Sequence, residues 1–213
     1  EAGATSWTNA AGGAWLDVGS WDFGVPNVFT PAALTQEGAS RTVTVTEHVP
    51  AITNVTIANG SGTTQVRVVD GGRLPIENAF VTIGKGGELK VETGGHVAYD
   101  GSVSSFDPAQ GTISVVDGGK LSINGGTVDL DDFQGRIVAS GSGPDTGLVS
   151  IASGTLRVTS TNQPLQVILG GRLEMTGGLL EMERMGAFVD PVVRLPDGGA
   201  VDLYGNAQIL YRE

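Results

Sequence analysis

From residue 41 to residue 70 the chain reads RTVTVTEHVPAITNVTIANGSGTTQVRVVD, in which Val, Ile and Thr alternate almost without a break. Strict alternation is the signature of a strand with one buried and one solvated face. It places Val43, Val45, Val55, Ile57, Val66 and Val68 in a common interior, and NGSG at 59–62 reads as a turn. After residue 70 the pattern changes its punctuation but not its period. VVDGGRLPI at 68–76 returns as VVDGGKLSI at 115–123, and looser copies of the same frame occur at 83–91, 93–99, 124–130, 151–158, 168–175, 176–182 and 195–203. Each copy is apolar residues, a glycine turn and then alternation, which predicts a turn followed by a short strand.

Spacing then predicts how the units stack. Gly72, Gly95 and Gly119 lie 23 and 24 residues apart, and Gly154, Gly178 and Gly199 lie 24 and 21 apart, with Gly87, Gly126 and Gly171 inside those intervals. Each period therefore holds more than one strand and more than one corner. A propeller blade needs about 40 residues and four strands, so the shorter period favours a β-solenoid. The fold expected is all-β, a single-domain parallel β-helix, and the crossover rule for parallel strands makes it right-handed. Aligned aliphatic stacks should bury Val68, Leu74, Ile83, Leu89, Val115, Leu121, Ile151, Leu156, Ile168 and Leu173. Two excursions rich in Ser, Gly, Asp and Pro, at 100–111 and 139–147, read as loops leaving the coils.

Residues 1–40 lack the repeat and hold all three tryptophans, Trp7, Trp15 and Trp21, with Phe23, Phe29, Pro26 and Pro31. Solenoids need atypical terminal units, so this segment is expected to be a cap or connector on coils running from 41 to 213. A tryptophan platform for stacking sugar rings is the functional alternative.

Glycine, at 34 of 213 residues, is far above its usual share of about 7%, yet 39% of the chain is hydrophobic, too much for a disordered linker. The glycines are punctuation in a folded chain. The formal net charge of −11 is the wrong sign for a nucleic-acid binder, so nucleic acid is excluded as a partner. No apolar run is long enough to span a bilayer. The absence of cysteine, the load of Thr, Ser, Asn and Gly, and a sequence that opens EAGATSW without an initiator Met lean toward an exported bacterial protein.

GSWDFGVPN at 19–27, together with the Gly-Gly-x-apolar-x-apolar units, resembles the β-helical passenger-type repeats of exported bacterial surface proteins, autotransporter-like proteins among them. The resemblance implies a right-handed parallel β-helix on or outside a cell, with no catalytic residues to carry over. Parallel β-helices include polysaccharide lyases and hydrolases, which need paired carboxylates or a basic residue beside calcium-binding acids. The best acidic cluster is VDLDDF, where Asp129 and Asp131 share a strand face beside Asp132 and could chelate calcium, although solvated carboxylates are the plainer account. His48 and His96 have no second ligand at metal spacing, and no nucleophile or phosphate loop is recognisable. No catalytic, cofactor or metal residue is therefore assigned.

The tail AVDLYGNAQILYRE at 200–213 keeps alternating to its last residues. An uncovered last coil is a template for another chain, and a head-to-tail contact between identical copies generates a fibre. The expected function is a non-catalytic extracellular structural protein, a subunit of such a filament or surface fibre whose partners are further copies of itself; the alternatives are a carbohydrate-binding or adhesin β-helix module, with surface polysaccharide as ligand, and behind it a polysaccharide lyase or hydrolase. The expected assembly residues are Trp7, Trp15, Trp21, Phe23, Tyr204, Ile209 and Tyr211.

Overall fold

The computed structural model describes residues 3–212 except 78–79, 100–111, 132–135, 142–145, 161–164, 169, 185–192, 195–199, 204 and 207. Parallel strands stack as a β-solenoid of about six three-faced turns above two N-terminal rungs, and no α-helix occurs among the described residues. The first face is built of Thr5–Ser6, Ala32–Leu34, Val55–Ile57, Phe80–Ile83, Thr112–Val115, Arg136–Ala139, Leu165–Val167 and Val193–Arg194, each paired with the next. The second is built of Gly13–Ala14, Arg41–Val45, Thr64–Val68, Gly87–Glu92, the first parts of Lys120–Asp131 and Leu148–Ser160, Arg172–Met175 and Ala200–Leu203. Arg73–Ile76, His96–Tyr99, the second parts of the two long strands, Leu179–Arg184 and Gln208–Arg212 make the third.

Because the register is in phase from coil to coil, inward residues form columns. Val45, Val68, Val91, Ile123, Ile151 and Met175 stand one above another on the second face, all fully buried. Leu74, Val97, Val128, Leu156 and Leu180 do the same on the third, and Leu34, Ile57, Ile83, Val115, Ala139 and Val167 on the first. Nine of the ten interior residues named from the sequence are buried. Ile168 is the exception: Leu165 and Val167 fill the interior of that strand, and Ile168, half-buried, opens the turn that follows.

The glycine pairs explain the corners. In VVDGG at 68–72 the N–H of Gly72 donates to the carbonyl of Val69, closing a four-residue turn whose third residue, Gly71, has φ +76°. The same turn closes at 116–119, where Asp117 is also left-handed at φ +46°, the one non-glycine in that region among the described residues. The first glycine thus supplies positive φ at little steric cost. The second glycine has a different task. A Cβ on Gly72 would overlap the carbonyl oxygen of Val45 in the coil below, and one on Gly119 would overlap that of Ile83. The two positions cannot exchange roles.

Those contacts also correct the spacing argument. Gly72, Gly95 and Gly126 precede the third face, where Arg73, His96 and Thr127 are in register. Gly119 precedes the second face, and its equivalents are Gly87, Gly147 and Gly171. There are two glycine corners per coil, and the 24-residue step from Gly95 to Gly119 jumps between them. Register offsets between successive coils run from 23 residues, as in Thr64 to Gly87, to 32, as in Glu88 to Lys120. The longest step holds the sequence-predicted loop at 100–111, which lies outside the described residues. The second predicted loop interrupts the corner at which Gly147 donates to Ser140, four residues wider than the same bond between Gly119 and Val116.

Two substitutions test the corner geometry. Gly119→Ala should destabilise by about 1–3 kcal/mol in denaturant unfolding, because the new methyl meets backbone of the adjacent coil. Gly19→Ala, where the nearest foreign atom is a carboxylate oxygen at 3.5 Å and φ is ordinary, should stay within about 0.5 kcal/mol of the parent. Equal effects would remove the close-packing explanation. In the columns, Leu121→Ala should cost about 2–5 kcal/mol, and Leu121→Asp should abolish the cooperative thermal transition.

Candidate functional site

The N-terminal end is closed by its own chain. Thr5–Ser6 pairs with Ala32–Leu34 on one side. On the other side residues 20–22 return antiparallel: Trp7 bridges Trp21, Thr8 N–H donates to the carbonyl of Ser20, and Asp22 N–H to that of Ser6. A short 3-10 turn at Val18–Ser20, capped by the carboxylate of Asp17, carries the chain across the end. Beneath it the three tryptophans are buried, with Trp21 edge-on to Trp7 at 5.0 Å and to Trp15 at 5.1 Å between ring centroids. The indole of Trp21 donates to the Trp15 carbonyl and that of Trp7 to the Asn9 carbonyl. Asp22 binds this fold-back: its carboxylate accepts from Ser6 N–H at 2.6 Å, chiefly for which its pKa lies below the ordinary value.

This geometry sorts the expected assembly residues. Trp7, Trp15 and Trp21 form the plug under the cap and present no side-chain surface, so they offer no platform on which a sugar could stack. Phe23 lies outside the plug and is 76% exposed, and Val18 and Phe29 accompany it on the surface. Burial of the three indoles follows from their size; the exposure of Phe23 and Phe29, in a turn-rich stretch outside the ladder, has no counterpart in a periodic signal.

The C-terminal end is built differently. Leu203 continues the column of Met175, and Ile209 that of Leu180, yet they are 50% and 43% exposed where their predecessors are fully buried. Leu210 is exposed beside them. Tyr204 lies outside the described residues, as does the side chain of Tyr211, whose backbone pairs with Met182.

Between the ends, the described outward faces carry ion-pair ladders. Glu92 accepts from Arg67 at 2.6 Å and from Lys90 at 2.8 Å. Those two cations, Arg67 first, hold its carboxyl below the usual range. Glu88 takes hydrogen bonds from Gln65 and Ser122, each at 2.6 Å. Asp129 is paired rather than poised for a cation: Arg157 bridges it at 3.2 Å and the buried Glu181 at 3.0 Å. The side chain of Asp131, and Asp132 entirely, lie outside the described residues. Among the described residues no group of three or more His, Asp or Glu is placed to hold a metal ion. His48 is exposed and its backbone bridges that of Arg73, which is in register with His96, so the two histidines stand two coils apart. No helix among the described residues is long and apolar enough to cross a membrane.

Glu92 gives a pH prediction. Its folded pKa is below the ordinary value near 4.5, so its contribution is fully present above that value and is lost as pH falls through the lower folded one. The pair is partly exposed, which keeps the effect below about 1 kcal/mol. Glu92→Gln should therefore melt below the parent at pH 7, and the difference between the two should shrink as pH falls below the ordinary carboxylate range.

The fold is that of β-helical repeat proteins. In comparisons with protein-family models, with characterised proteins and with solved structures, none matches the chain.

Proposed function

We propose that the chain is a non-catalytic structural module of the extracellular or cell-surface kind, joined end to end with further copies of itself. One observation carries the reading. Of the seven large hydrophobic residues exposed among the described residues, six sit at the two ends: Val18, Phe23 and Phe29 on the cap, Leu203, Ile209 and Leu210 on the last rung. The seventh, Phe80, stands on the first face. The sides of the solenoid are polar and ion-paired, which suits solvent, while its ends are apolar, which suits contact. The exported setting follows from the composition and from the likeness to autotransporter-like passenger repeats. The paired state of Asp129 weighs against a calcium-assisted catalytic role there.

Because residues 20–22 already pair with the first strand, the junction we propose is not a continued sheet. It is a side-chain contact in which Phe23 and Phe29 of one copy seat on the exposed Leu203 and Ile209 of the next. Such a contact is heterologous, and its stoichiometry can be controlled. Phe23→Ser with Phe29→Ser removes only the cap surface, and Ile209→Asp removes only the rung surface. In sedimentation and electron microscopy the parent should form open-ended filaments, each variant alone should stay monomeric, and an equimolar mixture of the two should stop at dimers. A parent that remains monomeric at high concentration, or a mixture that polymerises, would overturn the reading.

A further inference from the structure

The chain contains two Asn-Gly dipeptides, Asn59-Gly60 and Asn124-Gly125, and the fold treats them in opposite ways. Asn-Gly is the dipeptide most prone to intramolecular deamidation, because glycine leaves the attacking nitrogen unhindered. Asn59 is sealed. It is 1% exposed, its Oδ1 accepts from the backbone N–H groups of Gly38, Ser61 and Gly62 at 3.2, 3.3 and 2.9 Å, and its Nδ2 donates to the Gly38 carbonyl. The amide is thereby held in place by four bonds and withdrawn from water.

Asn124 has the reverse setting. It is exposed, it lines a hollow of about 380 Å³ with Val69, Asp70, Glu92 and Thr93, and it sits where the ladder breaks. On the Gly87–Glu92 side, Asn124 and Gly125 share one partner, Glu92; on the Leu148–Ser160 side, the register shifts both before and after Asn124. Such a bulge releases the extra residue from regular pairing. Gly125 is left-handed at φ +93°, a conformation other residues adopt at a cost.

From this contrast we infer that Asn124 is a site of spontaneous covalent modification in the folded protein. The Gly125 backbone nitrogen attacks Cγ of Asn124, a C–N bond forms, and the side-chain nitrogen leaves as ammonia, which carries away the proton from the attacking N–H. Water then opens the resulting succinimide at either carbonyl, giving aspartate or isoaspartate. No redox partner is needed. The product places a new carboxylate in a hollow already lined by Asp70 and Glu92, where like charges crowd, and the isoaspartyl form adds a methylene to the backbone at a place where two coils are already out of register.

The test needs no variant that could fail to fold. The folded protein is aged in mildly alkaline buffer, a second sample is aged in urea, and both are digested with trypsin. The peptide 121–136 contains Asn124 and no other asparagine; the peptide 42–67 contains Asn59 together with Asn54. In urea both Asn-Gly sites should acquire the mass change of amide to acid at similar rates. In the folded sample peptide 121–136 should convert, split into aspartyl and isoaspartyl forms on chromatography, while Asn59 changes at least tenfold more slowly. Asn124→Asp serves as the product standard and should melt below the parent at pH 7, with the difference shrinking in acid. Protection of Asn124 equal to that of Asn59 in the folded sample would overturn the inference.

Discussion

The close approach of glycine Cα to the carbonyl oxygen of the coil beneath it sets the rest of this structure. Parallel strands on three faces require the whole coil, corners included, to rise by the ~4.8 Å that ladder hydrogen bonds allow. A strand meets that demand by pairing, but a corner turns out of the pairing plane and would be pushed away by any side chain aimed down the axis. Gly72, Gly87, Gly95, Gly119, Gly147 and Gly171 each stand where a Cβ would overlap backbone of the preceding coil, chiefly the oxygen of a residue that ends a strand below. With the corners held down, the columns of Val, Ile and Leu fall into register and the core closes without large side chains.

In-register stacking then creates an electrostatic problem that the outward faces solve locally. A solenoid places residues of adjacent coils directly above one another, so like charges meet whenever the sequence repeats too faithfully. Arg67 stands over Lys90, and Glu174 over Asp202. In each case a residue of the neighbouring row intervenes: Glu92 binds both cations, and Arg172 reaches Asp202 at 2.7 Å and Glu174 at 3.9 Å. On the third face Arg157 separates Asp129 from Glu181 in the same fashion. The net charge of −11 is tolerated because the acids are interleaved with the few available cations where coils touch.

Much of this was legible in the sequence, for a physical reason. Period-2 alternation between glycine turns fixes which side of each strand faces inward, so most interior residues from Val43 to Leu173 could be named from pattern alone. What spacing could not supply was which corner a glycine belongs to. Gly95 and Gly119 look equivalent along the chain because loops change the length of each side, and only pairing separates them. Ile168 was misplaced for a related reason: a three-residue strand has too few alternations to fix its phase before a turn begins. At the N-terminus, the antiparallel return of residues 20–22 rests on contacts that no repeat encodes.

The asymmetry of the two ends is the consequence of those unrepeated contacts. A column of aliphatic side chains can be ended either by a residue large enough to cover it or by leaving its last member wet. Three indoles packed edge-on take the first course, and they need a strap of chain to keep water from their upper edges. That strap has to turn sharply, so it contains Gly24 and Pro26, and its own apolar residues, Phe23 and Phe29, have no interior left to enter. At the other end Leu203 and Ile209 keep the register of the buried residues beneath them and are themselves exposed. Exposed apolar side chains of the described residues are thus concentrated on the first and last described rungs, for different reasons at each.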